Sequence, residues 1–267
     1  MQWLLASDVE PMWGIFVKGW TSTFLLAVIF FAVVYVMIMR ARAGAPVREI
    51  RRLPGIDAVA EAVGRATEMG APVIFHPGRG DLRTAETISM FAMLAYTASL
   101  CARYDTRIVQ MHWQPVVMAV CEEITRQAYL EAGRPDSFNP DDIQFVANHE
   151  AVAMGKIEKE RPGAQIFWGQ FFSEAMNLIE IGAMTGAIQV GAATQQLPWF
   201  VAACDYTLIG EEMYAAGAYL SKEPVLVGTI VGQDLYKMGL MALILLGALL
   251  TTILGHSDHF INDWLRL

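Results

Sequence analysis

The chain reads as an α/β protein: a mostly parallel, Rossmann-like sheet with helices on both faces, flanked by two transmembrane helices. Three observations carry that reading. Between residues 53 and 236, short continuous apolar runs alternate with segments of helical periodicity, the pattern of a parallel sheet covered on both sides. Two stretches, 19–39 and 238–255, hold no charged residue. The composition, 55% hydrophobic over 267 residues with a mean hydropathy of +0.37, is too apolar for an ordinary soluble enzyme.

Taken in order, residues 1–18 form an N-terminal segment expected on the outer side of the membrane. Residues 19–39, "GWTSTFLLAVIFFAVVYVMIM", would make a helix roughly 31 Å long at about 1.5 Å per residue, the thickness of a bilayer core. They read as a span rather than a cleaved leader. The apolar core is long, the segment before it is not basic, and arginines crowd the small-residue site "ARA" at 41–43. Residues 40–52 form a basic linker carrying Arg40, Arg42, Arg48, Arg51 and Arg52, whereas only Lys18 precedes the span. The positive-inside bias therefore places residues 40 onward in the cytoplasm, with these arginines against anionic lipid headgroups.

The α/β domain is expected over 53–236. "GIDAVAEAVGRATEMG" sets Ile56, Val59, Val63 and Ala66 at helical spacing, with Gly70 as its stop. "PVIF" follows as a buried strand. The alternation continues with a helix over 82–103, strand "RIVQM", a helix over 116–132, loop "GRPDSFNPDD", strand "IQFVA", a helix over 149–160 and strand "AQIFW". A helix over 171–185, strands "AIQV" and "WFVAAC", a helix over 207–221 and strand "PVLVGTIV" complete it. Residues 238–255 make the second span, at the lower length limit, and 256–267 an external tail. The expected protein is thus a two-pass protein of the cell membrane with its main domain in the cytoplasm.

In an open parallel sheet, ligands collect outside the carboxyl ends of the strands. His76, His112, His149, Gln170 and Asp205 fall at predicted strand ends and are the candidate ligand-binding residues. Imidazoles with a carboxylate suit zinc or iron, so His76, His112, His149 and Glu150 are the metal candidates. The opposing reading is that strand ends meet solvent and carry polar residues anyway. No cofactor is named by any motif: no GxGxxG opens a helix after the first strand, no GxSxG elbow is present, and "MGKI" lacks the rest of a phosphate loop. A net charge of -8 argues against nucleic acid as a partner. Cys101, Cys121 and Cys204, widely spaced in apolar runs, read as reduced core residues.

"EAVGRATEMGAPVIFHPG" (61–78) and "PWFVAACDYTLIGEEMYAAGAYLSKEPVLVGTIVGQD" (198–234) resemble a family of bacterial and archaeal membrane proteins catalogued as a domain of unknown function. The resemblance covers roughly 46–237. It implies a membrane-tethered α/β domain with flanking hydrophobic helices, and it transfers no activity, cofactor or catalytic residue.

Two function classes follow. A scaffold that self-associates beneath the bilayer needs an anchor, a rigid domain and apolar surface, and small residues Gly239, Ala242, Gly247 and Ala248 in the second span permit close helix contact. The alternative is a membrane-tethered sensor or enzyme using the strand-end crevice. The lack of an identifiable nucleophile or cofactor loop favours the homo-oligomeric scaffold.

Overall fold

The computed structural model describes residues 11–12, 16–17, 21–45, 53–146, 149–195 and 197–254. Arg48, Arg51 and Arg52 of the linker, most of segment 1–18 and all of 256–267 lie outside the described residues. The chain divides into two compact units, one made of Met1–Glu49 with Pro224–Leu267 and the other of Ile50–Glu223.

The first unit opens with a short antiparallel pairing of β1 (Pro11–Met12) and β2 (Phe16–Val17). Its body is two long apolar helices, α1 (Thr21–Arg42) and α9 (Pro224–Leu254). Glycine lets their backbones meet. A Cβ added to Gly228 would lie 2.7 Å from Ile38 Cα, and one added to Gly232 would lie 2.9 Å from Val34 Cα. Further along, Tyr236 packs edge-on to Phe30 with ring centroids 5.1 Å apart, and its hydroxyl donates to the Leu26 carbonyl at 3.2 Å. These contacts run in opposite directions on the two helices, so the pair is an antiparallel hairpin. Arg40 and Arg42 occupy the last turn of α1, where cations complement the helix dipole.

The second unit holds α2 (Pro54–Glu68), β3 (Val73–His76), α3 (Ala85–Tyr104), β4 (Ile108–His112), α4 (Pro115–Glu131), β5 (Ile143–Phe145) and α5 (Glu150–Glu160). It continues with β6 (Ala164–Gly169), α6 (Glu174–Thr185), β7 (Ile188–Ala193), α7 (Leu197–Ala203), β8 (Tyr206–Ile209) and α8 (Glu212–Ser221). Six parallel strands form one sheet in the order β5-β4-β3-β6-β7-β8. Counted along the chain this is the 3-2-1-4-5-6 order of the doubly wound fold, with its switch point between β3 and β6. Strand residues alternate between two cores. Val73, Phe75, Ile166, Trp168 and Val190 pack with buried residues of α2, α3, α4 and α8. Ile74, Val109, Met111 and Phe167 pack with α5, α6 and Phe200 of α7.

Among the described residues three helices are long and apolar enough to cross a membrane: Thr23–Arg42, Ala85–Tyr104 and Pro224–Leu249. The middle one, α3, buries Met90, Met93, Leu94, Ala98 and Cys101 in the sheet's core, so its apolarity is used inside the α/β unit. The other two present large apolar side chains outward along their length, among them Phe31, Leu245 and Leu246.

Three segments differ from the sequence expectation. "WFVAAC" lies in helix α7, "PVLVGTIV" opens helix α9, and the sixth strand is Tyr206–Ile209, where a helix was expected from 207. Short apolar runs fit helix and strand alike. Pro198 and Pro224 stand in the first turns of their helices, where proline loses no needed hydrogen bond.

Candidate functional site

At the switch point the loops that follow β3 and β6 grip one another. Gly78, at φ +73°, is so close to the second loop that an added Cβ would lie 2.5 Å from the Gln170 carbonyl oxygen. Gly169 packs in the same way on Pro77. The Arg79 amide donates to the Gln170 carbonyl at 2.7 Å. Arg79 then turns its side chain across the gap: Nε donates to Glu174 Oε1 at 2.6 Å, and the guanidinium lies 4.1 Å from the centre of the Trp113 ring. Glu174 opens α6 and is buried, so the pair ties the loop after β3 to the start of α6.

Beside it lies the first turn of α3. The Thr84 hydroxyl meets the Asp81 carbonyl at 3.0 Å and the Thr87 hydroxyl at 2.7 Å. Glu86 accepts from Thr194 Oγ1 at 2.8 Å. Burial alone would raise the Glu86 pKa, but hydrogen bonds from the backbone, Thr194 and Tyr214 outweigh it and hold the carboxyl below its usual range. Tyr214 is pushed up to about 12 by burial and by that carboxylate. Gly78 and Gly80 stand where a dinucleotide loop has its first two glycines, with Arg83 at the third position. The negative groups Asp81 and Glu86 at this helix start oppose a phosphate there.

The predicted site residues are not gathered in one place. His76 ends β3, fully buried and stacked on Phe167 at 4.4 Å on the α5–α6 face. Gln165 is its polar neighbour and favours the charged ring, yet neither ring nitrogen makes a hydrogen bond of good geometry, and burial lowers the pKa to about 3. His112 ends β4 on the opposite face, because strand register sets Val73 beside Ile108 and side chains alternate. Its Nε2 lies 3.0 Å from Gln110 Oε1, and Gln110 Nε2 donates to Thr125 at 2.7 Å. Burial lowers His112 to about 3 as well.

His149 is exposed just before α5, and Glu150 accepts from Asn177 at 2.5 Å. Gln170 serves the loop junction through its backbone carbonyl. Asp205 precedes β8 and accepts from the Gln189 amide at 2.8 Å, which places it at the amino edge of the sheet, opposite the histidines. Its expected strand end was the end of "WFVAAC", which is a helix. Among the described residues no three His, Cys, Asp or Glu side chains cluster to hold a metal ion, so His76, His112, His149 and Glu150 do not form the expected ligand set. Cys101 and Cys121 are buried free thiols, and Cys204 is half-buried.

Sequence reading did not single out Arg79, Glu174 or Glu86. The signal for the first two was strand order, since only the switch point singles out the loops "HPGRGD" and "GQFFSE". It also missed a surface cavity of about 230 Å³ at the amino edge, lined by Thr106, Arg107, Tyr129, Asn139 and Asp142. There Arg107 is held by Asp142 and by Glu160.

Fold and site together define a doubly wound α/β unit with a self-stitched switch point, combined with an apolar helical hairpin. The chain belongs to the family described as "Domain of unknown function (DUF6754)", which matches residues 11–261. No curated protein and no solved structure matches it.

Proposed function

We propose that this is a two-pass protein of the cytoplasmic membrane, anchored by α1 and α9, that works as a homo-oligomeric scaffold with its α/β unit on the cytoplasmic side. The observation that carries the reading is the hairpin: two helices that pack backbone to backbone at Gly228 and Gly232 and turn Phe31, Ile244 and Leu245 outward at 67–70% exposure. Such surface is stable in lipid rather than water. Arg40 and Arg42, exposed at one end of α1, fit the cytoplasmic headgroups. The α/β unit supports a rigid role, since the fold's usual ligand crevice is bridged by Arg79, Glu174 and Trp113.

Two measurements test it. Single cysteines at Ser7, Ser137 and Ser257, labelled in intact cells with an impermeant reagent, are expected to react at 7 and 257 and stay protected at 137; the reverse pattern overturns the topology. Size in mild detergent across a concentration series, with crosslinking in native membranes, is expected to give a discrete oligomer. A concentration-independent monomer without crosslinks overturns the scaffold.

The second reading, a small-molecule crevice at the strand carboxyl ends, is favoured by one observation: both nitrogens of His76 are buried without a hydrogen bond of good geometry, and a bound guest would satisfy them. Native mass spectrometry of the purified protein decides it. A retained small molecule supports the crevice, and bare protein counts against it.

A further inference from the structure

Glu174 holds its carboxylate where a doubly wound sheet takes its ligand. It is the one acid in the first turn of α6, the helix that follows β6 at the switch point, and it is 5% exposed. Its surroundings are those of an oxyanion receptor. Arg79 Nε donates to Oε1 at 2.6 Å, the Phe172 amide donates to the same oxygen at 3.2 Å, and the helix start adds its own positive end. At the start of α3, Asp81 and Glu86 oppose an anion; at the start of α6, Arg79 answers the single acid.

The buried groups beside this pair are short of acceptors. Trp113, whose ring carries the Arg79 guanidinium at 4.1 Å, is 5% exposed, and its Nε1–H has no hydrogen-bond partner. His76, fully buried three residues before Arg79, has neither ring nitrogen in a hydrogen bond of good geometry. Both rings lie on the α5–α6 face with Glu174's helix: Trp113 packs in that core, and His76 stacks on Phe167 of the same core. An indole N–H only donates, and a neutral imidazole adds one more donor. A buried donor without a partner is costly, and the group that satisfies an indole N–H is an acceptor. The donors at this edge therefore exceed what the Glu174 carboxylate answers.

We propose that the switch point is a binding site for a small oxyanion, a carboxylate or a phosphate, and that Glu174 is its built-in occupant, which the ligand displaces from Arg79 and the Phe172 amide. The inference rests on the crevice reading above and adds to it the class of guest and the side chain that competes with it. The exchange keeps charge in balance, because one anion leaves the Arg79 guanidinium as another arrives. A planar guanidinium matches carboxylate and phosphate oxygens alike. Arg79 is 21% exposed, which gives a small ion a way to it, and Phe172 is 42% exposed, so solvent borders the entry to α6. Glu174 stands in the first turn of its helix, where its side chain can turn outward while α6 stays folded.

The test uses the full chain in mild detergent, titrated separately with sodium acetate, sodium phosphate and, at matched ionic strength, sodium chloride. Half-saturation is read from the rise in unfolding temperature and from the indole N–H resonance of Trp113, assigned by its loss in Trp113→Phe. Glu174→Ala removes the internal competitor and is expected to bind acetate or phosphate about tenfold more tightly than the parent, or better. Glu174→Gln, which keeps an acceptor for the Phe172 amide, is expected to fall between the two. Adding Arg79→Ala to Glu174→Ala is expected to abolish saturation. Saturation by acetate alone assigns a carboxylate ligand, and saturation by phosphate alone a phosphate. Chloride acting as well as either, equal half-saturation in the parent and both Glu174 variants, or a Trp113 resonance that moves in none of them overturns the proposal. Native mass spectrometry separates the two readings: a bare parent chain counts against the crevice itself, whereas a retained neutral or cationic guest keeps the crevice and overturns only the oxyanion site.

Discussion

Gly232 lies against Val34 so closely that a Cβ would stand 2.9 Å from the Val34 Cα, and Gly228 meets Ile38 more closely still at 2.7 Å. The obstructing atoms belong to backbone, which cannot rotate aside, so even alanine must push the helices apart. Small residues at such crossings let packing and backbone contact hold apolar helices together where no hydrophobic drive acts between them. Gly228→Ala is therefore expected to lower the unfolding temperature in detergent and to loosen the hairpin. Gly239→Ala, where nothing lies within 4 Å, is expected to be neutral or slightly stabilising, since alanine is the better helix former. Thermal unfolding of the two variants side by side reads the difference.

His76 and His112 make the α/β unit sensitive to acid. Burial holds both folded pKa values near 3, against an ordinary 6.5. The unfolded chain takes up these protons as pH falls from about 6.5 toward 3, and the folded chain does not. Each histidine thus removes about 1.4 kcal/mol of stability per pH unit in that window and none above it. The unfolding temperature is expected to be flat from pH 8 to 7 and to fall steadily toward pH 4.5. His76→Leu is expected to make that fall shallower, and an unchanged slope would show that the His76 ring takes up its proton without unfolding.

Much of this fold was legible because its signals are local. "PVIF", "RIVQM" and "AQIFW" are buried on both faces, so they read as continuous apolar runs, and the intervening helices keep a 3.6 period. What failed was decided by tertiary context. "WFVAAC" has the side chains of a strand, yet it covers the α6 side of the sheet as a helix through Phe200. β8, only four residues long with one fully buried side chain, was hidden in a helical pattern. The site was less legible, because which loops adjoin depends on strand order. No local pattern tells that Arg79 reaches Glu174, 95 positions away, or that His76 and His112 face opposite sides.

The loop junction should tolerate no side chain at Gly78. Its φ of +73° already disfavours an L residue by roughly 1–2 kcal/mol, and an added Cβ would also press on the Gln170 backbone at 2.5 and 2.8 Å. Gly70, at φ +64° with nothing within 4 Å, isolates the first effect. Gly70→Ala is expected to cost about 1 kcal/mol and Gly78→Ala clearly more, as read from denaturant unfolding. Equal losses would mean that the two loops separate readily.

The Arg79 bridge gives the last prediction. Glu174 Oε1 accepts both from Arg79 Nε at 2.6 Å and from the Phe172 amide at 3.2 Å, so the carboxylate anchors the β3 loop and the entry to α6 together. Glu174 is 5% exposed and Arg79 21%, which screens the pair far less than a surface ion pair. Glu174→Ala removes both bonds, and hydrogen bonds to charged groups are worth about 1.5–3 kcal/mol, so a loss of about 2 kcal/mol is expected. Glu174→Gln keeps an acceptor for Phe172 and Arg79 but not the charge, and should fall between. Arg79→Lys keeps the charge but cannot lay a planar group on Trp113, so it too should be intermediate. Denaturant unfolding of the three variants orders them, and a Glu174→Ala chain as stable as the parent would show that the switch point is held by the Gly78 and Gly169 backbone contacts alone.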